Sequence, residues 1–119
     1  MRIITVYVSM PYRAPTKEGV AANIEAATEV GRTIMRAHPD VMAIVPHLVT
    51  QVDPGDRDDA FWLEATLDLQ RMCHVVYLGP GWTESVGCRG EAADAVRTGQ
   101  RHCRTLERLA QIVEEVRRC

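Results

Sequence analysis

The sequence predicts an α/β fold, a Rossmann-like or flavodoxin-like three-layer sandwich with a small parallel sheet and a C-terminal helix. Apolar runs that suit strands alternate three times with helical patterns, as in βαβ units. The first run, Arg2 to Ser9, is almost continuously β-branched and aromatic, which is typical of a strand covered on both faces. The chain has 119 residues and leaves no room for a second core, so residues 1–119 are predicted to form a single domain.

The first half of the chain supplies two strands and one helix. Arg2 to Ser9 is the first strand, and a loop rich in proline and glycine follows it. Val20 to Met35 repeats apolar residues at helical spacing. Val41 to Val45 is too short for a helix and stops at Pro46, so it is the second strand. Leu48 to Asp59 is a polar excursion, and loops of this length are often functional.

The second half predicts one more strand and three helices. Ala60 to Met72 is assigned to a helix because strong helix formers outweigh a mixed pattern. Val75 to Leu78 is the third strand. A loop then leads into a helix from about Val86 to Arg97, which Gly99 stops. The tail from Arg101 to Arg118 is predicted to be wholly helical, with one apolar face.

Composition and sequence motifs limit the kinds of ligand and partner that the chain is expected to bind. The formal net charge is −2 and the basic residues are dispersed over most of the chain, which disfavours duplex nucleic acid and favours a small ligand. There is no apolar run of about 18 residues for a membrane span and no cleavage-site pattern of a signal peptide, so we expect a cytoplasmic protein. The four cysteines lack metal-ligand spacing and are expected to be free thiols, with no metal. Dinucleotide, phosphate-loop and serine-hydrolase motifs are missing, and no cofactor is expected.

Ligands of open parallel sheets bind beyond the carboxyl ends of the strands. That rule selects Ser9 to Arg13, Pro46 with His47, and Gly79 to Glu91. In the third segment the glycines let the backbone approach a ligand closely. Ser85 can cap the following helix, whose free amides would favour an anionic group.

Glu91 follows Gly87 by four residues, so it lies on the same side of that helix and can face the same cleft. On the residues alone, commoner roles remain open. An early helical glutamate usually compensates the helix dipole at the surface, and a serine in the position of Ser85 is usually a plain cap. His47 is more often a packed imidazole than a metal ligand.

Together these segments resemble the nucleoside 2-deoxyribosyltransferase-like superfamily over about Ile3 to Gly99. The resemblance is closest to a small branch, often phage or actinobacterial, in which Gly-Trp-x-x-Ser precedes the glutamate helix. The elements that carry it are Ser9-Met10-Pro11-Tyr12, Asn23 before an alanine-rich helix, Val45-Pro46-His47, Cys73 to Gly79, and Ser85-x-Gly87-x-x-x-Glu91 with Ala95 and Gly99.

The resemblance implies an N-glycosidase or deoxyribosyltransferase acting on a (deoxy)nucleoside or its 5′-monophosphate. Glu91 would be the nucleophile at the anomeric carbon, and Glu64 or Asp68 the acid that protonates the leaving base. Water or a second base would resolve the glycosyl–enzyme intermediate, with hydrolysis favoured over transfer. A sensor that binds a nucleotide without turnover, and an interaction protein with Glu91 at its surface, are the alternatives.

The same resemblance implies roles for further residues and for assembly. Eight residues are candidates for substrate binding. Ser9 and Tyr12 would contact the sugar, Asn23 and His47 would line the cleft wall, and Ser85 and Gly87 would contact a phosphate. Gly79 and Trp82 lie in the loop that leads to Ser85. A homo-oligomer, either a dimer or a larger assembly, is also expected, because relatives commonly borrow active-site residues across a dimer interface.

Overall fold

A computed structural model describes residues 2–119 and shows a four-stranded, all-parallel sheet in the order β2-β1-β3-β4. The predicted α/β class with a C-terminal helix is confirmed. Along the chain the elements are β1 (Ile4–Ser9), α1 (Lys17–Ala37), β2 (Val41–Ile44), α2 (Pro46–Val49), α3 (Asp59–Arg71), β3 (Val75–Leu78), α4 (Val86–Thr98), β4 (Arg101–Cys103) and α5 (Leu106–Arg118).

β1 is the central strand, and its sequence explains why. It pairs in parallel with β2, where Ile4 lies opposite Val41, and with β3, where Val6 lies opposite Val75. Every residue of β1 except Thr5 is buried. A strand covered on both faces needs apolar residues at nearly every position, which is the pattern that predicted it.

The prediction of a wholly helical tail is wrong. Arg101–Cys103 forms β4, a short edge strand that pairs in parallel with β3. Only Cys103 of the three is buried, so this strand carries almost no hydrophobic signal. Gly99 ends α4 in a left-handed conformation, with φ of 74°, and frees the chain to turn into β4. Thr105 then caps α5 by accepting a hydrogen bond from the Arg108 amide at 3.1 Å.

Side-chain caps move other boundaries from their predicted places. α1 begins at Lys17 because Thr16 accepts a hydrogen bond from the Gly19 amide at 3.0 Å. α3 begins at Asp59, and Asp58 accepts from the Phe61 amide at 2.9 Å. The polar excursion begins within α2, and a 3₁₀ turn (Thr50–Val52) precedes its irregular part. None of the helices within residues 2–119 is long and apolar enough to span a membrane.

The helices form two layers around the sheet. α1 and α5 pack on one face, where Ala27 and Leu109 join Val6 and Val8 in a buried cluster. On the other face, residues of α3 and α4 such as Leu69 and Ala95 pack around Tyr7. Because side chains alternate along a strand, Ser9 lies on the same face as Tyr7, toward α3 and α4. The end of β1 therefore presents two hydroxyl groups to one helical layer.

Candidate active site

The carboxylate of Glu91 is held by two hydroxyl groups of β1. The Ser9 hydroxyl donates to Oε1 of Glu91 at 2.7 Å. The Tyr7 hydroxyl donates to Oε2. Tyr7 and Ser9 stand two residues apart on one strand face, so a rigid strand fixes both donors. The two donors at the end of the central strand thereby fix the orientation of the carboxylate plane.

The turn before α4 sets the start of that helix. Gly81 adopts a left-handed conformation with φ of 85°, which an L side chain would strain. A 3₁₀ turn follows, and Ser85 then accepts a hydrogen bond from the Cys88 amide at 3.2 Å. The predicted capping role of Ser85 is confirmed. α4 then carries Glu91 back toward the end of β1.

A buried amide joins α3 to α4 directly beside the site. Gln70 is fully buried, and its Nε2 donates to the backbone carbonyl of Glu91 at 2.9 Å. One turn further along α4, Asp94 accepts from Arg71 Nη2 at 2.7 Å. Hydrogen bonds from Arg71 and Arg97 lower the pKa of Asp94 to about 2, so it stays ionised. These contacts hold the backbone at Glu91 in place relative to α3.

A cleft of about 1220 Å³ opens beside Glu91 at the carboxyl edge of the sheet. Its walls come from the end of β1 and the loop after it, from α2, from one face of α3 and from the start of α4. Tyr12, His47, Ser85, Gly87 and Glu91 all line it, so the structure brings these predicted residues together. A cleft of this size exceeds what a nucleoside needs.

Burial and hydrogen bonding act on Glu91 in opposite directions. Burial, the larger effect, raises the pKa of Glu91 above its ordinary value, while the donors Tyr7 and Ser9 lower it. Burial and the neighbouring Glu91 carboxylate raise the pKa of the Tyr7 phenol, so Tyr7 stays a protonated donor. The site therefore holds one oriented, partly buried carboxyl group, whose ionised form could act as a nucleophile.

The raised pKa of Glu91 makes a prediction about stability. A carboxyl group whose pKa is higher in the folded state stabilises the fold at low pH, and that contribution is lost as pH rises through the folded-state pKa. Glutamine cannot ionise, so Glu91→Gln is expected to raise the urea midpoint at pH 8 and to raise it less at pH 4. Urea unfolding across this range, followed by circular dichroism, measures the difference.

Glu115→Gln is the matched control, because Glu115 lies exposed on α5. A gain in Glu91→Gln that does not change with pH, or a loss at every pH, would contradict the assigned cost of burying this carboxylate.

His47 lines the cleft and is almost wholly buried. Its Nε2 atom lies 3.0 Å from the carbonyl oxygen of Met10 and 3.1 Å from that of Pro11, so Nε2 carries the proton and donates. Burial lowers the pKa of His47 and favours the neutral ring. The centroid of the Tyr12 ring lies 5.8 Å from that of the imidazole ring. His47 thus ties α2 to the loop after β1 and shapes the cleft.

The two candidate acids lie outside the cleft. Glu64 and Asp68 are four residues apart on α3, and both are exposed. Asp68 forms an ion pair with Arg71 at 3.6 Å. The cleft is lined by another face of α3, which carries Trp62 and Thr66. The position along the chain was thus predicted, whereas the face of the helix was not.

Four other predicted ligand contacts have local roles in the structure. Ser9 binds the Glu91 carboxylate and does not line the cleft. Asn23 donates to the backbone carbonyl of Tyr12 at 3.0 Å and so supports the loop. Gly79 leaves room for Met10, since a Cβ there would lie 2.5 Å from the Met10 side chain. Trp82 packs against the cluster on the α3 and α4 face, below the guanidinium of Arg104.

Tyr7 is the functional candidate that the sequence analysis missed. A tyrosine inside an apolar strand is usually a core residue, and Tyr7 is indeed fully buried. The available signal was its spacing from Ser9, which places two hydroxyl groups on one strand face at the ligand-binding edge.

The fold and the site define a class of protein, namely α/β proteins in which two strand hydroxyls hold a partly buried carboxylate beside a cleft at the carboxyl edge of a parallel sheet. In comparisons with known proteins, the chain matches no protein-family model and no curated protein sequence.

Proposed function

We propose that the protein cleaves the N-glycosidic bond of a (deoxy)nucleoside or its 5′-monophosphate through a covalent intermediate on Glu91. One observation carries the proposal. The Glu91 carboxylate borders a cleft large enough for a nucleoside, and two β1 hydroxyls fix its orientation. The sequence resemblance to deoxyribosyltransferase-like proteins supports the same chemistry.

In the proposed reaction an oxygen of Glu91 attacks the anomeric carbon C1′ as the bond from C1′ to the base breaks. The base leaves with the bonding electron pair and takes up a proton from solvent water in the cleft, because Glu64 and Asp68 do not line it. The sugar is then an ester of Glu91. Attack by water at C1′ releases the free sugar, restores the carboxylate and returns one proton to solvent. Partial burial strengthens the interaction of the carboxylate with the positive charge that develops at C1′.

A sensor that binds a nucleotide-like ligand without turnover is the second candidate. The observation that favours it is the position of Glu64 and Asp68, which face away from the cleft and cannot protonate a base there. In a sensor the Glu91 carboxylate would accept hydrogen bonds from ligand hydroxyl groups.

A homo-oligomer also belongs to the proposal. Apolar side chains are exposed at and near the cleft rim, among them Leu63, Val86 and Val52 at 52%, 76% and 79%. A second subunit would cover part of this rim. Light scattering coupled to size-exclusion chromatography measures the mass directly, and a monomer at all concentrations would reject this part of the proposal.

The test of function is a panel of nucleosides and 5′-monophosphates. Free base is measured by chromatography, and the acid-quenched protein is digested and its peptides are measured by mass spectrometry. We expect base release and a mass increase of one sugar on the peptide that contains Glu91. Binding without release would favour the sensor. Neither binding nor release across the panel would reject both candidates.

A further inference from the structure

The charged side chains that line the cleft are predominantly acidic. Two cations stand against four carboxyl groups, which leaves a formal charge of −2 when all are ionised, and these residues are Arg13, Arg57, Asp53, Asp59, Glu84 and Glu91. An anionic ligand in this cleft therefore meets more like charge than opposite charge.

Both arginines are already paired with aspartates. Arg13 Nη2 lies 2.7 Å from Asp59 Oδ1. Arg57 Nη1 lies 3.7 Å from Asp53 Oδ1, and its guanidinium lies over the Phe61 ring at 5.4 Å from the centroid. A phosphate group could still reach the unused N–H donors of these guanidinium groups, but it would share each arginine with an aspartate carboxylate that already offsets its charge.

The start of α4 acts in the opposite direction, because a helix N-terminus carries about half a positive charge. That partial charge is smaller than the net negative charge of the side chains that line the cleft, even when Glu91 is counted as protonated. Ser85, the residue that the resemblance places at a phosphate, accepts a hydrogen bond from the Cys88 amide, and its hydroxyl proton adds a neutral donor but no charge. The helix end therefore does not reverse the sign of the cleft.

The remaining walls suit an uncharged aromatic ligand. Leu63, Leu67 and Pro46 supply apolar surface, and the rings of Tyr12 and Trp62 line the same cleft. Flat bases pack favourably against aromatic rings. Trp62 is fixed in place because its Nε1 donates to Asp53 Oδ2 at 3.1 Å.

We infer that the cleft selects the uncharged nucleoside and discriminates against its 5′-monophosphate. The inference rests on the proposed function for the chemical class of the ligand, and it narrows that class by charge. A phosphate with nearly two negative charges is repelled by the cleft carboxylates, whereas a nucleoside hydroxyl is not.

The probes are carbocyclic deoxyadenosine and its 5′-monophosphate, whose carbocyclic sugar prevents release of the base by this chemistry. Calorimetry on the full chain is expected to show roughly 10-fold tighter binding of the nucleoside at low salt. The preference should shrink at about 1 M salt, where the Debye length falls to about 3 Å. Equal or tighter binding of the monophosphate, or no binding of either probe, overturns the inference.

Variants that remove single cleft carboxylates test whether their charge causes the preference for the nucleoside. Asp59→Asn frees Arg13, and Glu84→Gln removes a second cleft carboxylate on a different element. Each is expected to reduce the preference for the nucleoside by about 3-fold to 10-fold. Glu115→Gln makes the same change of net charge on α5, outside the lining of the cleft, and should leave the preference as it was. A preference that changes equally in all three variants would overturn the inference.

The two proposals can fail separately. Tighter binding of the nucleoside without any base release would reject the glycosidase and keep the charge selection. Faster base release from monophosphates than from nucleosides would keep the glycosidase and reject the charge selection.

Discussion

Glu91→Gln is expected to reduce base release from nucleosides by at least about 1000-fold while the ligand still binds. Glutamine keeps the size of the side chain and still forms hydrogen bonds, with one oxygen as acceptor and one NH₂ group as donor, but its neutral amide is a poor nucleophile. The Tyr7 and Ser9 hydroxyls can still bond to the amide, so the cleft should keep its shape. Initial rates of base release, together with calorimetric binding of a carbocyclic nucleoside, separate chemistry from binding.

The same variant distinguishes a nucleophile from a base that activates water. If Glu91 is the nucleophile, the sugar adduct that we expect on the wild-type protein is absent from Glu91→Gln. Glu115→Gln, on the exposed side of α5, should retain both the rate and the adduct. Base release that persists in Glu91→Gln at near the wild-type rate would rule out the proposed mechanism.

The parts of the fold that bury apolar residues were predictable from the sequence. β1 and β3 stand in the middle of the sheet, and nearly every one of their side chains is buried, so their apolar runs were unambiguous. β4 was not predictable from that pattern. It lies at the edge, and Arg101 and His102 gain little burial, so pairing with β3 alone defines the strand.

The candidate site likewise has a part that the sequence predicts and a part that it does not. Strand order places the ends of β1 and β3 side by side, so a rule about parallel sheets was enough to bring Glu91 to the correct edge. Which face of α3 meets the cleft depends on how that helix rotates, and its mixed apolar pattern left the rotation open. The resemblance predicts the acid at Glu64 or Asp68, which are exposed, whereas Trp62 and Thr66 line the cleft.

Tyr7→Phe is expected to lower kcat/KM for base release by about 10-fold to 100-fold and to change its pH dependence. The phenylalanine ring still fills the cluster around Val76 and Leu78, so the loss is confined to one donor to Glu91. The Tyr7 hydrogen bond lowers the pKa of Glu91, and without it that pKa rises further. The acidic limb of the pH profile should therefore move to higher pH.

Tyr77→Phe is the matched control for this positioning role. Tyr77 lies on the neighbouring strand β3 and packs in the cluster on the opposite face of the sheet, with α1 and α5. It should leave the acidic limb in place, even if removing its hydroxyl lowers stability somewhat. A purely structural role of Tyr7 would reduce the amount of active enzyme in the same proportion at every pH. Only a change in the ionisation of Glu91 moves the limb, because the fraction of Glu91 that is ionised sets the rate on that side of the profile.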